Sequence, residues 1–281
     1  MFSKIIEERL YLEYGPTNLV VEATHKDKQK IYNYIIKNID QMLSELSLEL
    51  SKLREKTKEN TKFNSQIAKK MNDSTKIFLP RFITPLASVA GAISETLLDE
   101  TLSKFDLEKI HINNGGDAAI FLKKKQKLKF LVASTNSFLI TLEGDNCKYG
   151  IATSGWKGRS FSMGIADSVT TIAKSSAIAD AAATVIANDT DIKNHKNIKK
   201  QEANKIDEQS DLKNRLVTTS VGELSSNDIK KALRKGSLTA KTLIEKKIIL
   251  AAFLNIKENY VYVGKQFDIK ETKKKINFIK I

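Results

Sequence analysis

Three segments of the chain combine residue types that can hold a ligand. Asn113-Asn114-Gly115-Gly116-Asp117 lies between two apolar runs. Paired glycines allow positive φ and leave backbone N–H groups unshielded. The segment reads either as a tight hairpin turn or as a place where backbone approaches a ligand. In the second case Asp117 binds a hydroxyl, a base or a metal. Thr153-Ser154-Gly155-Trp156-Lys157-Gly158-Arg159-Ser160 brings together hydroxyls, glycines and two cations. That chemistry suits a phosphate or carboxylate, and an ordinary loop stands beside it as the alternative. The segment matches neither a GxxxxGK[ST] phosphate loop nor a GxSxG nucleophile elbow. Trp156 either stacks on a ring or covers the core. Asp180 and Thr184, four apart in ADAAAT, fall on one face of a helix. A carboxylate and a hydroxyl so placed can share Mg²⁺. The alternative is a capping aspartate and a threonine bonded to its own backbone. Asp167 and Glu95 are further acidic candidates. His111 reads as a core histidine and Cys147 as inert.

The bulk composition narrows the chemistry. One cysteine in 281 residues excludes an internal disulfide and a cysteine-built zinc site. His25, His111 and His195 do not pair at ligand spacing, so a metal here is expected to be a hard cation held by oxygens. The apolar content of 41% supports a sizeable core. The net charge of +14 comes mostly from scattered lysines, and the densest run, 123–129, has little aromatic interleaving. A solvated surface is expected rather than a specific nucleic-acid groove. No apolar run is long enough to span a membrane, and MFSKIIEERL lacks the pattern of a signal peptide. The expectation is a cytoplasmic protein with no membrane partner.

The elements that position these segments follow from periodicity. A hairpin is expected over 9–14 and 18–23, around Gly15-Pro16. Ile31, Ile35, Ile39, Leu43, Leu46, Leu50 and Leu53 form one stripe of a long helix over 27–58. A shorter helix follows at 66–77, and Pro80 and Pro85 bound a loop. A helix at 86–102 begins rich in small residues. Strands are expected at 109–113, 118–122, 128–133, 138–143, 149–153 and 167–173. An alanine-rich helix is expected at 175–188. The lysine-rich stretch 189–213 reads as a flexible loop. A strand at 216–221, a helix at 229–246 capped by Ser225-Ser226-Asn227-Asp228, and strands at 249–256 and 260–263 complete the chain. Helices and strands do not alternate strictly, so an α+β fold in a single domain, 1–281, is expected.

Taken in order, ITPLASVAGAISE (83–95), INNGGDAAIFL (112–122), GIATSGWKGRSFSMGIADSVT (150–170) and ADAAAT (179–184) resemble an uncharacterised cytoplasmic family related to ApbE. SDLKNRLVTTSVGELSSNDIKKAL (210–233), the early LVVEA and the long helix ending in Leu53-Arg54 fit the same resemblance, which covers nearly the whole chain. It implies an ApbE-like fold with a mixed or antiparallel sheet packed against helices. ApbE proteins are flavin transferases that use FAD and Mg²⁺ to attach FMN to a threonine. The resemblance implies that the GGD and TSG segments line a flavin site and that Asp180 and Thr184 hold the metal. A backbone carbonyl near Ile93 contributes more loosely. Two departures accompany it. GRSFSMGIAD stands where the transferases carry a His-containing DPxTG stretch, and VAGAISE stands in place of a KGY-type sequence. An export signal, which many transferases have, is not expected here.

The expected site therefore comprises Asn114, Gly115, Gly116, Asp117, Thr153, Ser154, Gly155 and Arg159 for a nucleotide-type ligand, with Asp180 and Thr184 for Mg²⁺. The cofactors in view are Mg²⁺ and FAD or FMN, and the activity in view is transfer of FMN. Two alternatives stay open. One is an enzyme of sulfur or homocysteine metabolism on the same scaffold, as some relatives of the family suggest, with the site reshaped around Arg159 and Asp167. The other is a binding module without turnover. A homodimer is compatible with all three.

Overall fold

A computed structural model describes residues 1–132, 138–271 and 277–279. In chain order the strands and helices are β1 (Phe2–Ile6), β2 (Arg9–Tyr14), β3 (Thr17–Thr24), α1 (Lys28–Leu48), α2 (Leu50–Leu53), α3 (Gln66–Lys76), α4 (Val89–Lys104), β4 (Lys109–Asn114), β5 (Asp117–Leu122), β6 (Lys127–Leu131), β7 (Phe138–Glu143), β8 (Cys147–Ser154), β9 (Ser168–Ala173), α5 (Ser176–Asp189), β10 (Ile198–Glu202), β11 (Leu216–Val221), α6 (Ser226–Glu245), β12 (Ala251–Ile256), β13 (Asn259–Gly264), β14 (Asp268–Glu271) and β15 (Asn277–Phe278). The fold is α+β. β1–β2, β2–β3, β3–β4, β4–β5, β5–β8, β9–β12, β12–β13, β7–β14 and β10–β11 pair antiparallel, and β13 with β15 parallel.

The chain forms two compact units. The first comprises Met1–Leu128, Leu142–Ala152 and Ala173–Ala181. Its sheet runs β1-β2-β3-β4-β5-β8. Alternation along β3 and β4 puts Leu19, Val21, Ala23, Ile110 and Ile112 on one buried face. Ile31, Ile35, Ile39, Met42 and Leu46 of α1 join them, as do Ala92, Ile93 and Leu97 of α4. Each such Leu, Ile, Val or Met side chain contributes roughly 1.5–3 kcal/mol by leaving water, and each alanine less.

The long helix expected over 27–58 is interrupted. Glu49 takes φ −107° and ψ 3°, separating α1 from the short α2. Its carboxylate accepts N–H bonds from Asn64 at 2.8 Å and Ser65 at 2.9 Å. The chain after Leu53 thus turns back to satisfy this buried carboxylate instead of extending the helix.

The second unit comprises Lys129–Thr141, Thr153–Ile172 and Ala182–Ile281. It contains β9-β12-β13-β15, the three-stranded β14-β7-β6 and the pair β10-β11. β12 is buried along its whole length. Helix α6 lays Ile229, Leu233, Ala240 and Leu243 into the core. The stretch expected as a loop over 189–213 contains β10, paired antiparallel with β11. The expected strand over 128–133 is β6, Lys127–Leu131, and Ala133 lies outside the described residues. No helix among the described residues is long and apolar enough to cross a membrane.

Candidate functional site

The Gly-Gly segment forms the turn of the β4–β5 hairpin. Asn114 and Asp117 face each other across the ladder, so the loop is the two glycines alone. Gly115 has φ +62° and Gly116 φ +118°. Both lie in the region glycine enters without a Cβ penalty. Gly116 N–H donates to Asn113 Oδ1 at 2.8 Å. Asn114, buried, accepts from Asn18 N–H at 3.2 Å. A Cβ on Gly116 would meet nothing within 4 Å, but both N–H groups of the turn are engaged, that of Gly115 by the Asn18 carbonyl at 3.1 Å. The Asp117 carbonyl accepts from Ser94 Oγ of α4 at 2.9 Å.

Asp180 sits in the second turn of α5, at the start of α4. Its Oδ2 accepts from Gly91 N–H at 3.0 Å, and a bond from Ala90 N–H supports it. Ser88, the N-cap of α4, makes no side-chain cap bond. Its hydroxyl goes to the carbonyls of Met71 and Pro85 instead. Asp180 therefore supplies the N-terminal acceptor that α4 otherwise lacks. Burial pushes the Asp180 carboxyl well above the ordinary range, and the charge of Asp117 pushes it further. The two N–H bonds oppose this and do not win. Asp180 still keeps part of its surface open to solvent.

The favour is returned from α4. Glu95 Oε2 accepts from Ala177 N–H at 3.0 Å and Ser175 Oγ at 2.6 Å, at the start of α5. Ser175 Oγ in turn accepts from Ile178 N–H at 3.2 Å. Glu95 is held by Lys70, 3.1 Å away, which also pairs with Asp99 at 2.7 Å. Lys148 reaches Asp99 at 2.8 Å. Burial alone would lower the Lys70 pKa, but Glu95 and Asp99 outweigh it and the net shift is upward. The helices approach so closely because Gly91 has no side chain. A Cβ there would lie 2.3 Å from the Ser176 carbonyl oxygen and 2.9 Å from Asp180 Cβ.

Thr184 lies one turn further along α5 and is half-buried. Asp180 falls in the first compact unit and Thr184 in the second, on one continuous helix.

The TSG segment and Arg159 belong to the second unit. Thr153 and Ser154 end β8, and Thr153 Oγ1 lies 2.8 Å from Thr170 Oγ1. Gly155 is a packing requirement. It has φ +151°, and a Cβ would lie 2.5 Å from the Asp167 carbonyl oxygen. Arg159 is exposed. Asp167 is buried beneath the loop. Its carboxylate accepts from Trp156 Nε1–H at 3.0 Å and Lys257 N–H at 2.7 Å, and pairs with Lys157 at 3.1 Å.

Lys70, Ser175 and Lys257 completed these clusters without having been singled out from the sequence. Ser175 before an alanine-rich run carried a cap signal, but the two lysines carried none. His111 is half-buried, with burial lowering its pKa against the pull of Glu22, and its Nδ1 has no hydrogen-bond partner among the described residues. Cys147 is a free, half-buried thiol.

The Asp180 carboxylate contacts the Gly91 and Ala90 N–H groups and feels the charge of Asp117. A carboxyl whose proton affinity is raised by a neighbouring carboxylate, as that of Asp180 is by Asp117, is relieved by a positive charge as well as by a proton. Among the described residues no group of three or more His, Cys, Asp or Glu side chains could hold a metal. Mg²⁺ here would rely on the carboxylate, a hydroxyl, waters and a ligand phosphate, which is its habit. In the β4–β5 turn the Gly115 and Gly116 N–H groups are engaged by the Asn18 carbonyl at 3.1 Å and by Asn113 Oδ1 at 2.8 Å, whereas the second unit's Thr153 and Ser154 hydroxyls suit a phosphate.

Comparison with known proteins agrees with the motif pattern. UPF0280 proteins are similar to this chain: that of Methanobrevibacter smithii is 36% identical over 168 residues, covering 58% of this chain and 64% of the relative. That of Methanocaldococcus jannaschii is 41% identical over 112 residues, covering 38% and 44%. The matched stretches thus span less than two thirds of either relative. Among solved structures, the apo flavinyl transferase ApbE of Pseudomonas stutzeri aligns with a TM-score of 0.48 at 12% identity, covering 96% of this chain and 95% of that one. The flavin transferase ApbE of Vibrio cholerae aligns with a TM-score of 0.42 at 15% identity, covering 66% and 86%. The family profile described as AbpE bacteria matches residues 3–266, nearly the whole chain, and the protein belongs to that family.

Proposed function

We propose that this ApbE-like protein binds a flavin nucleotide, or a similar phosphate-bearing ligand, together with Mg²⁺, and that transfer of FMN is its reaction. The observation that carries the reading is the state of Asp180. Its carboxyl is crowded by burial and by Asp117, while the residue as a whole is half-buried. A fold that gains nothing from a charge there has a simple alternative in asparagine, which keeps the bond to Gly91 N–H. Thr184, one turn along α5, adds a neutral oxygen on the same face. The hydroxyls of Thr153 and Ser154, the close backbone at Gly155 and the charge of Arg159 suit phosphates, and the turn from Asn114 to Asp117 is assigned to the ligand by the motif resemblance alone. Family membership and the ordered motifs support the flavin as the ligand. Mg²⁺, when bound, neutralises diphosphate charge and stabilises the leaving group.

The test is equilibrium dialysis of the full chain with FAD, with and without Mg²⁺, repeated on Asp180→Ala. Mg²⁺-dependent binding that the variant loses supports the proposal. No binding, or equal binding by both proteins, sinks it. A second reading, a binding module without turnover, draws on the use of Asp180 Oδ2 as a helix cap. It is distinguished in the same experiment by FAD binding that ignores both Mg²⁺ and the substitution.

A further inference from the structure

Trp156 is the one tryptophan of the chain, and it is pinned. Its indole N–H donates to Asp167 Oδ1 at 3.0 Å, and its backbone N–H donates to the Ala166 carbonyl at 3.0 Å. Asp167 is fixed in turn. It is 8% exposed, its other oxygen accepts from Lys257 N–H at 2.7 Å, and its own N–H donates to the Asn255 carbonyl at 2.9 Å. Gly155 packs closely on residues 166–168, where a Cβ would lie 2.5 Å from the Asp167 carbonyl oxygen. The indole nonetheless remains half-buried. A large aromatic ring is thus held in one orientation by a buried carboxylate while part of its surface is left to solvent. Filling the core does not require that combination; presenting a ring does.

Lys157 partly screens this surface. Its Nζ lies 5.7 Å from the centre of the indole and 3.1 Å from Asp167 Oδ2, and its side chain is 56% exposed. Only the lysine end of this ion pair is exposed, so the ammonium can exchange Asp167 for water or another anion while the carboxylate stays buried. If Lys157 leaves, Asp167 keeps Trp156 Nε1–H and Lys257 N–H, so the indole stays in place. An incoming ring can therefore displace Lys157 without disturbing the platform, and a phosphate on the ligand gives the ammonium a new partner.

We infer that Trp156 is the face on which the planar ring of the ligand stacks, with Lys157 passing from Asp167 to the ligand phosphate. The inference rests on the flavin-nucleotide reading and adds to it the residue that selects for a ring. Stacking on an aromatic side chain tolerates many ring types but requires one.

The experiment titrates the full chain with FMN, measuring affinity by dialysis and following the emission of the flavin. Tryptophan in contact with a flavin darkens its emission, whereas phenylalanine does not. Wild type is expected to bind FMN in a dark state. Trp156→Phe is expected to bind within about threefold of wild type and to leave the flavin bright. Trp156→Leu is expected to bind roughly tenfold more weakly, while inorganic phosphate competes equally weakly with both proteins. Unchanged FMN affinity in Trp156→Leu, or flavin as dark in Trp156→Phe as in wild type, overturns the stacking role alone. Failure of wild type to bind either FMN or FAD overturns the flavin reading together with it.

Discussion

Asp180 and Glu95 cap each other's helices. Asp180 of α5 accepts Gly91 N–H at the start of α4, and Glu95 of α4 accepts Ala177 N–H at the start of α5, both at 3.0 Å. Each helix N-terminus gains a carboxyl acceptor from the other for an N–H that the helix itself leaves unpaired. The position of the Asp180 carboxylate is consequently not a property of α5 alone. It depends on Glu95, on Lys70, which holds Glu95, and on the absence of a side chain at Gly91.

Glu95→Ala removes the acceptor for Ala177 N–H and Ser175 Oγ and the partner of Lys70. A lost cap with partly buried groups left unpaired costs about 1–3 kcal/mol. Glu95→Gln keeps one carbonyl acceptor and should lose less. Urea unfolding should show the midpoint ordered wild type, then Gln, then Ala. Equal midpoints for all three would remove the reciprocal cap from the account.

Gly91→Ala sets two effects against each other. Alanine is about 1 kcal/mol better than glycine inside a helix. The new Cβ would lie 2.3 Å from the Ser176 carbonyl oxygen, and overpacking against backbone costs typically 1–3 kcal/mol or more. The clash should win, giving a net loss of about 1 kcal/mol or more in thermal unfolding. Gly116→Ala is the control: the space is open, but φ is +118°. It should be destabilised through backbone strain, without disturbing the α4–α5 contact. A stabilised Gly91→Ala would mean that the two helices separate easily.

Much of this arrangement could be read before the structure, and the rest resisted for physical reasons. The stripe Ile31, Ile35, Ile39 and the alternation around Gly115-Gly116 placed α1 and the β4–β5 hairpin because their burial follows a period. β1 was missed because all five of its residues are exposed and carry no inward face. Its turn uses Glu7 and Glu8 at φ +46° and +66°, residue types that seldom announce such a turn. β10, IKKQE, escaped because a strand rich in lysine resembles a solvated loop. At the candidate site, Asp180 and Thr184 were visible because helical spacing is local. The bonds from Asp180 to Gly91, from Glu95 to Ala177 and from Asp167 to Lys257 join distant parts of the chain, and no spacing rule anticipates them.

Asp167→Asn tests the anchoring of the TSG loop without any ligand. The amide keeps one oxygen acceptor for either Trp156 Nε1–H or Lys257 N–H, not both, and its NH₂ group faces donors. Leaving one buried donor unpaired costs about 1–3 kcal/mol. Because Trp156 is the sole tryptophan, its emission reports the change directly. The spectrum should shift to the red and become easier to quench by iodide as the indole loosens. An unchanged emission maximum alongside unchanged stability would show that Asp167 does not fix the ring.

Asp180 gives a pH dependence whose sign is set by its shift. Its folded pKa is raised, by burial first and by Asp117 second. The native state therefore holds this proton more tightly than the unfolded chain, whose aspartates titrate near roughly 3.9. The contribution of Asp180 to stability is full below that value and falls as pH rises through the folded pKa. Asp180→Asn keeps an acceptor for Gly91 N–H and never ionises. Without divalent cations, the variant should be more stable than wild type at about pH 8, by on the order of 1 kcal/mol for relief of an imperfectly compensated buried group. The difference should shrink towards about pH 4. Mg²⁺ should reverse the order at about pH 8, since only the carboxylate gains from the cation. Thermal melts at both pH values, with and without Mg²⁺, read all four combinations. A variant less stable than wild type at about pH 8 without Mg²⁺ would mean that the attraction of the α4 N-terminus for a charged cap outweighs the burial penalty, and the case for a cation at Asp180 would lose its physical basis.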